Sequence, residues 1–159
     1  MPIPPSAFWN KRYIKNPPLK EADIAKAEAH FGCTLPTEFL DLLRVQNGVF
    51  TNDLAFPVTG MSWSEDHVLF ERLNGIAFGD EAAYTIMETD YMTKEWGLPP
   101  KQVLLGGDGH TWFSLDYRQG PVPCLSWLDA DSESSRVLAS SFAEFYEALV
   151  PAAQFDPDA

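Results

Sequence analysis

The stretch Gly109-His110-Thr111-Trp112-Phe113-Ser114-Leu115-Asp116-Tyr117-Arg118 decides how this chain folds. From Thr111 to Arg118 its side chains alternate: Phe113, Leu115 and Tyr117 fall on one side of an extended backbone, and Trp112, Ser114 and Asp116 on the other. A period of two residues marks a strand with one face on a core. After the turn residues Gln119-Gly120-Pro121, the segment Val122 to Leu128 answers it, and the two read as an antiparallel hairpin. Upstream, Gln102-Val103-Leu104-Leu105 is a further short, buried-looking strand. Between the two lies Gly106-Gly107-Asp108-Gly109-His110, read as a tight connection in which glycine supplies positive φ and aspartate hydrogen-bonds its own backbone.

Outward from this centre the period changes to that of a helix. Ile24, Ala27 and Phe31 recur at helical spacing from Leu19 to Phe31, and Gly32 ends the run. A second helix is expected from Pro36 to Gln46, with Phe39, Leu42, Leu43 and Gln46 on one stripe and Asn47-Gly48 as its stop. Four residues separate the two, so they should fold back as an N-terminal helical hairpin. Residues 49–79 hold short apolar runs among turn residues, read as short strands and loops. A third helix is expected from Asp80, as its cap, to Trp96, with Ala83, Ile86, Met87 and Tyr91 facing inward. The last runs from Phe142 to Val150, with Phe142, Phe145, Tyr146 and Leu149 on one stripe and Ser141 and Glu144 as a capping box. Segregated helices and strands of this kind make an α+β domain. Residues 1–16 read as an irregular lead-in docked through Phe8, Trp9 and Tyr13, residues 17–150 as the single domain, and residues 151–159 as a frayed tail.

The chain has 159 residues, the size of one domain, and 45% of them are hydrophobic, enough for a proper core. Eleven basic residues against 23 acidic ones give a net charge of −12. Such a surface repels phosphate backbones and anionic lipid, so neither nucleic acid nor membrane is expected as a partner. The densest cationic run, Lys11, Arg12, Lys15 and Lys20, is sparse and interrupted by Pro17-Pro18. A basic protein, by contrast, would be steered in quickly. Cys33 and Cys124 do not make a disulfide framework and read as buried thiols. With no secretion-signal pattern at the N-terminus and no apolar run long enough to span a bilayer, a cytoplasmic location is expected.

No assembled reactive centre is legible. His30, His67 and His110 lack metal-ligand spacing with one another or with a cysteine, and neither a nucleophile elbow nor a phosphate loop is present. No cofactor and no metal are expected. Asp108 and His110 could do acid–base work or hold an ion, although the structural reading of their loop is preferred. Asp129-Ala130-Asp131-Ser132-Glu133 alternates carboxylates as calcium loops do, but lacks the glycine and the distal glutamate such loops use, and reads as a solvated turn. If a basic partner is gripped, the candidates are Asp129, Asp131 and Glu133 with Asp80-Glu81 and the Asp108/His110 loop. Trp112, on the face read as polar, is a candidate aromatic anchor, as are Trp63 and Trp127, with core packing as the alternative for all three.

Three stretches in order resemble the SUKH superfamily, which includes fungal cell-wall-assembly regulators of the Smi/Knr type and many bacterial proteins. The first is Ile24, Ala27-Glu28, Phe31-Gly32, Leu35-Pro36, Phe39, Leu43 and Asn47-Gly48. The second is Gly109 to Arg118, and the third Ser140 to Phe145. They span residues 17–150, with only a loose match over 50–100. Val49 departs from the pattern, where a second glycine often follows Asn-Gly, and a less sharp turn is expected there. The resemblance implies an α+β fold with a mainly antiparallel sheet flanked by helices. It also implies non-catalytic protein binding: many bacterial members are immunity proteins that neutralise secreted toxins, and others are regulatory scaffolds.

On this reading the chain is a protein-binding module rather than an enzyme. The first expectation is an immunity protein against a basic, nuclease-like toxin. The alternatives are a regulatory scaffold of the cell-wall-assembly type and, third, a hydrolase-like enzyme centred on Asp108 and His110.

Overall fold

In the computed structural model, which describes residues 2–61 and 64–156, the alternation around Phe113 becomes the middle of a four-stranded antiparallel sheet. Its strands follow in chain order: β3 (Gln102–Gly107), β4 (Thr111–Asp116), β5 (Cys124–Asp129) and β6 (Ser134–Ala139). The expected hairpin is β4–β5, in register from Thr111 opposite Asp129 to Asp116 opposite Cys124. Residues 49–79 give longer strands than their short apolar runs suggest. β1 (Val49–Pro57) and β2 (His67–Leu73) pair antiparallel, and a two-residue strand β7 (Val150–Pro151) joins β1 on its other side.

The two sheets meet where β2 ends. The Asn74 backbone N–H donates to the Leu105 carbonyl at 2.6 Å, and its side-chain amide donates to the Leu104 carbonyl at 3.0 Å. A Cβ at Gly106 would lie 2.6 Å from the Arg72 carbonyl oxygen, so glycine is what lets the sheets approach. Between them, Phe70 meets Phe113 at 4.9 Å and Phe145 at 5.1 Å, and Phe56 stacks on Phe145 at 4.9 Å. Phe145 belongs to α5 (Phe142–Ala148), whose Ser141 cap accepts from the Glu144 N–H at 3.1 Å, as the capping pattern requires.

α2 (Glu21–Phe31) and α3 (Thr37–Val45) fold back on one another as expected, with Arg44 near the end of α3 donating to Glu21 at the start of α2 at 3.0 Å. Gly32 takes the left-handed conformation, φ 65°, that stops α2. Pro36 is the cap of α3 rather than its first helical residue. Asn47 closes this region: its amide donates to the carbonyls of Pro17 and Ile76 and accepts from the Ile76 N–H. The turn at Val49 is no gentler for lacking glycine, because Val49 sits at φ 116° with its side chain fully buried. Phe8, at the end of the one-turn helix α1 (Pro5–Phe8), and Trp9 dock in the core, with the Trp9 indole donating to the Leu42 carbonyl at 2.9 Å. Tyr13 lies outside the core, against Phe50 and Tyr84.

Three expectations are corrected. The third helix does not start at Asp80. Residues 78–84 are held as a loop by a Gly75 N–H bond to the Tyr84 carbonyl, and Thr85 caps a 3-10 turn (Ile86–Glu88) that leads into α4 (Thr89–Trp96). Tyr91, expected to face inward, is 66% exposed. Most important, the face of β4 read as polar is buried. α4 and Leu98, just past its Gly97 cap, cover that side of the sheet, where Leu98, Leu104, Trp112 and Leu128 form a second small core. Beside it, Asp116 accepts from Gln102 at 2.9 Å, Ser126 at 2.9 Å and the Arg118 guanidinium at 2.7 Å, and Ser114 donates to Gln102 at 2.7 Å. At the C-terminus, Phe155 stacks on His67 with ring centres 4.2 Å apart.

Candidate protein-binding face

At one end of the four-stranded sheet, two loops come together because β4 is paired with both of its neighbours in sequence. The β3–β4 connection carries Asp108 and His110, and the end of β5 with the β5–β6 connection carries Asp129, Asp131 and Glu133. The Ala130 N–H donates to the His110 carbonyl at 2.7 Å, and His110 Nδ1 lies 3.2 Å from an Asp131 carboxylate oxygen. Five of the eight residues singled out in the sequence therefore share one surface.

Each loop is shaped by its first aspartate. Asp108 accepts from the N–H groups of His110 and Thr111 at 2.9 and 2.8 Å, and Asp129 accepts from those of Asp131 and Ser132 at 3.0 and 3.2 Å. These are the local turns in which aspartate is favoured. Partial burial works against ionisation of Asp108, but the hydrogen bonds from Thr111 and His110 outweigh it and hold the carboxyl below its usual range. The loop keeps its negative charge as a result. Asp131 and Glu133 are exposed and Asp129 half-buried.

The other three candidates lie elsewhere. Asp80 and Glu81 are exposed in the loop before Thr85, and Glu81 borders a cleft with Lys15, Lys20 and Lys26 rather than the acidic loops. Trp112 is 5% exposed, packed under Leu98 and Leu128, and is no surface anchor. Trp127 is half-buried against Phe113, and Trp63 lies outside the described residues. The aromatic that does reach the acidic face is Trp96, 37% exposed and 5.3 Å from the His110 ring. Its position at the end of α4 hid it from sequence reasoning, which took it as a helix terminus.

His110 is exposed, and Asp131, whose carboxylate lies 3.2 Å from its ring, is exposed as well. Burial pushes the Cys33 thiol above its usual pKa, away from the reactive thiolate. Among the described residues no group of three His, Cys, Asp or Glu side chains is arranged to hold a metal ion, and no helix is long and apolar enough to cross a membrane. A shallow cleft of about 130 Å³ adjoins the face, between the sheets, bordered by Glu71, Arg72, Asp108 and Trp127.

No curated protein matches the chain in sequence. The profile of one family does, over residues 18–148, and that span takes in both helices of the hairpin, both acidic loops and α5. Members of that family are protein-binding immunity or regulatory modules. A match over most of the chain, on the two-sheet α+β fold described above, places this protein in the SMI1 / KNR4 family (SUKH-1).

Proposed function

We propose that this chain is a non-catalytic immunity protein that binds a cognate, basic, nuclease-like toxin through Asp108, Asp129, Asp131 and Glu133. The observation that carries the reading is the convergence of these four carboxylates on two mutually bonded loops, beside the partly exposed ring of Trp96. A nuclease must present cations where its substrate lies, and a rigid acidic face that occupies them blocks the substrate by mass action. The family match alone supports a regulatory scaffold equally well. The net charge of −12 and the four carboxylates on this face favour the toxin.

The test needs a basic toxin domain, sought first among the genes that flank this one. Stopped-flow association should be fast at low salt and slow steeply as salt is added. The variant D108N/D129N/D131N/E133Q should lose about tenfold or more in association rate while remaining folded. Equal rates for the two proteins at low salt would remove the acidic face from the mechanism.

A further inference from the structure

The cations of this chain are as unevenly placed as its carboxylates. Lys15, Lys20 and Lys26 line one cleft of about 380 Å³, formed where the segment after Trp9 crosses the loop that follows β2. All three are exposed, and none forms an ion pair with a described carboxylate, although Asp23 and Glu81 border the same cleft. In a chain with 23 acidic and 11 basic residues, three of the six lysines gather around this one opening. The cleft is also partly apolar. Pro17 and Pro18 form one wall, and Phe78, 37% exposed, faces Lys26, whose Nζ lies 4.1 Å from the ring centre. Its backbone is fixed in advance: Asn16 donates to the Asn47 carbonyl at 3.2 Å, and Asn47 ties Pro17 to Ile76.

We infer that this cleft is a second protein-interaction surface, which takes an acidic peptide segment carrying an apolar side chain. The lysines would meet its spaced carboxylates, and Phe78 with the two prolines its apolar group. The two bordering carboxylates set the class of ligand. A polyphosphate backbone brings closely spaced charges against Asp23 and Glu81, whereas a peptide with separated carboxylates can pass between them. The described C-terminal residues are not the occupant. Phe155 stacks on His67, opposite Pro57 at one end of β1, while the cleft lies by Asn47 at the other, and nine strand residues separate the ends by roughly 30 Å. No residue of the cleft belongs to the acidic loops, so the two surfaces can be occupied at once.

The test titrates the full chain, 15N-labelled, with a fluorescein-tagged peptide of alternating Glu and Asp around one Phe. The same peptide with Gln and Asn replacing the acids, and a single-stranded oligothymidylate, serve as comparisons. The acidic peptide should saturate and move the amide signals of Lys15, Lys20, Lys26 and Phe78, and the neutral peptide should not. K15Q/K20Q/K26Q should weaken binding about tenfold with an unchanged urea midpoint. If that variant unfolds, K20E alone should still weaken binding. Unchanged affinity in the lysine variants, shifts clustered elsewhere, no saturation, or tighter binding of the oligothymidylate would each overturn the inference. None of these results bears on the toxin reading, which rests on other residues.

Discussion

Val49 holds a backbone conformation that glycine adopts without strain and a β-branched residue does not. Its φ of 116° comes directly after Gly48, where an added Cβ would lie 2.5 Å from the Gly75 nitrogen. Strain of this kind is worth about 1–3 kcal/mol. Val49→Ala removes buried methyls and keeps the strain, whereas Val49→Gly loses a little more packing and relieves it. Val49→Gly should therefore be the more stable of the two by about 1 kcal/mol in urea unfolding, reversing the usual order for a strand. Glycine proving the worse substitution would show that the position is relaxed. Asp116 makes a second prediction. Burial opposes its ionisation, but the bonds from Arg118, Gln102 and Ser126 prevail and hold its pKa at about 2. A depressed folded-state pKa gives stability that is complete above the unfolded value, near 4, and lost as pH falls toward 2. Its contribution is on the order of 2 kcal/mol. D116N should flatten the acid limb of the stability profile between those values. An acid limb as steep as in the native chain would place the charge-dependent stability elsewhere.

The elements that could be read from the sequence are those whose periodicity and caps agree. α2, α3 and α5 each combine an apolar stripe with a clear start or stop, and β4 and β5 flank a turn rich in glycine and proline. Those that could not be read are decided by tertiary contacts. β6 opens with Ser134-Ser135-Arg136 and is exposed along most of its length, so nothing but its pairing with β5 makes it a strand. α4 begins nine residues later than its apolar spacing suggests, because Thr85 and Gly75 commit the preceding residues to a loop. The buried second face of β4 was misread for the same reason: Ser114 and Asp116 look solvent-facing until Gln102, Ser126 and Arg118 satisfy them. The best test at this scale is α5, whose Phe145 meets Phe56, Phe70 and Phe113. Phe145→Ala should cost about 3–5 kcal/mol by chemical denaturation. A loss under about 1 kcal/mol would mean that α5 does not hold the two sheets together.

Over the whole molecule, two small groups of like charges are held at separate places. The acidic loops lie at one end of the four-stranded sheet, and Lys15, Lys20 and Lys26 lie where the N-terminal segment crosses the loop after β2. The net charge was visible in the composition, but this placement was not, because Asp80-Glu81 and the two acidic loops look equivalent until the fold separates them. Long-range attraction of a basic partner depends on the total charge, and its final orientation on the carboxylates it reaches. Neutralising the four loop carboxylates should thus slow association more than removing the same charge at remote exposed positions such as Glu38 and Asp41. Equal effects from both sets would show that attraction is diffuse and that the loops confer no orientation. Trp96 gives this face an optical signature. Trp9 and Trp112 are shielded in the interior and Trp127 is half-covered, whereas the Trp96 indole stands at the rim beside His110. A partner that settles over the loops strips water from that ring, so its emission shifts to the blue and becomes inaccessible to iodide, and occupancy can be followed without attaching a dye.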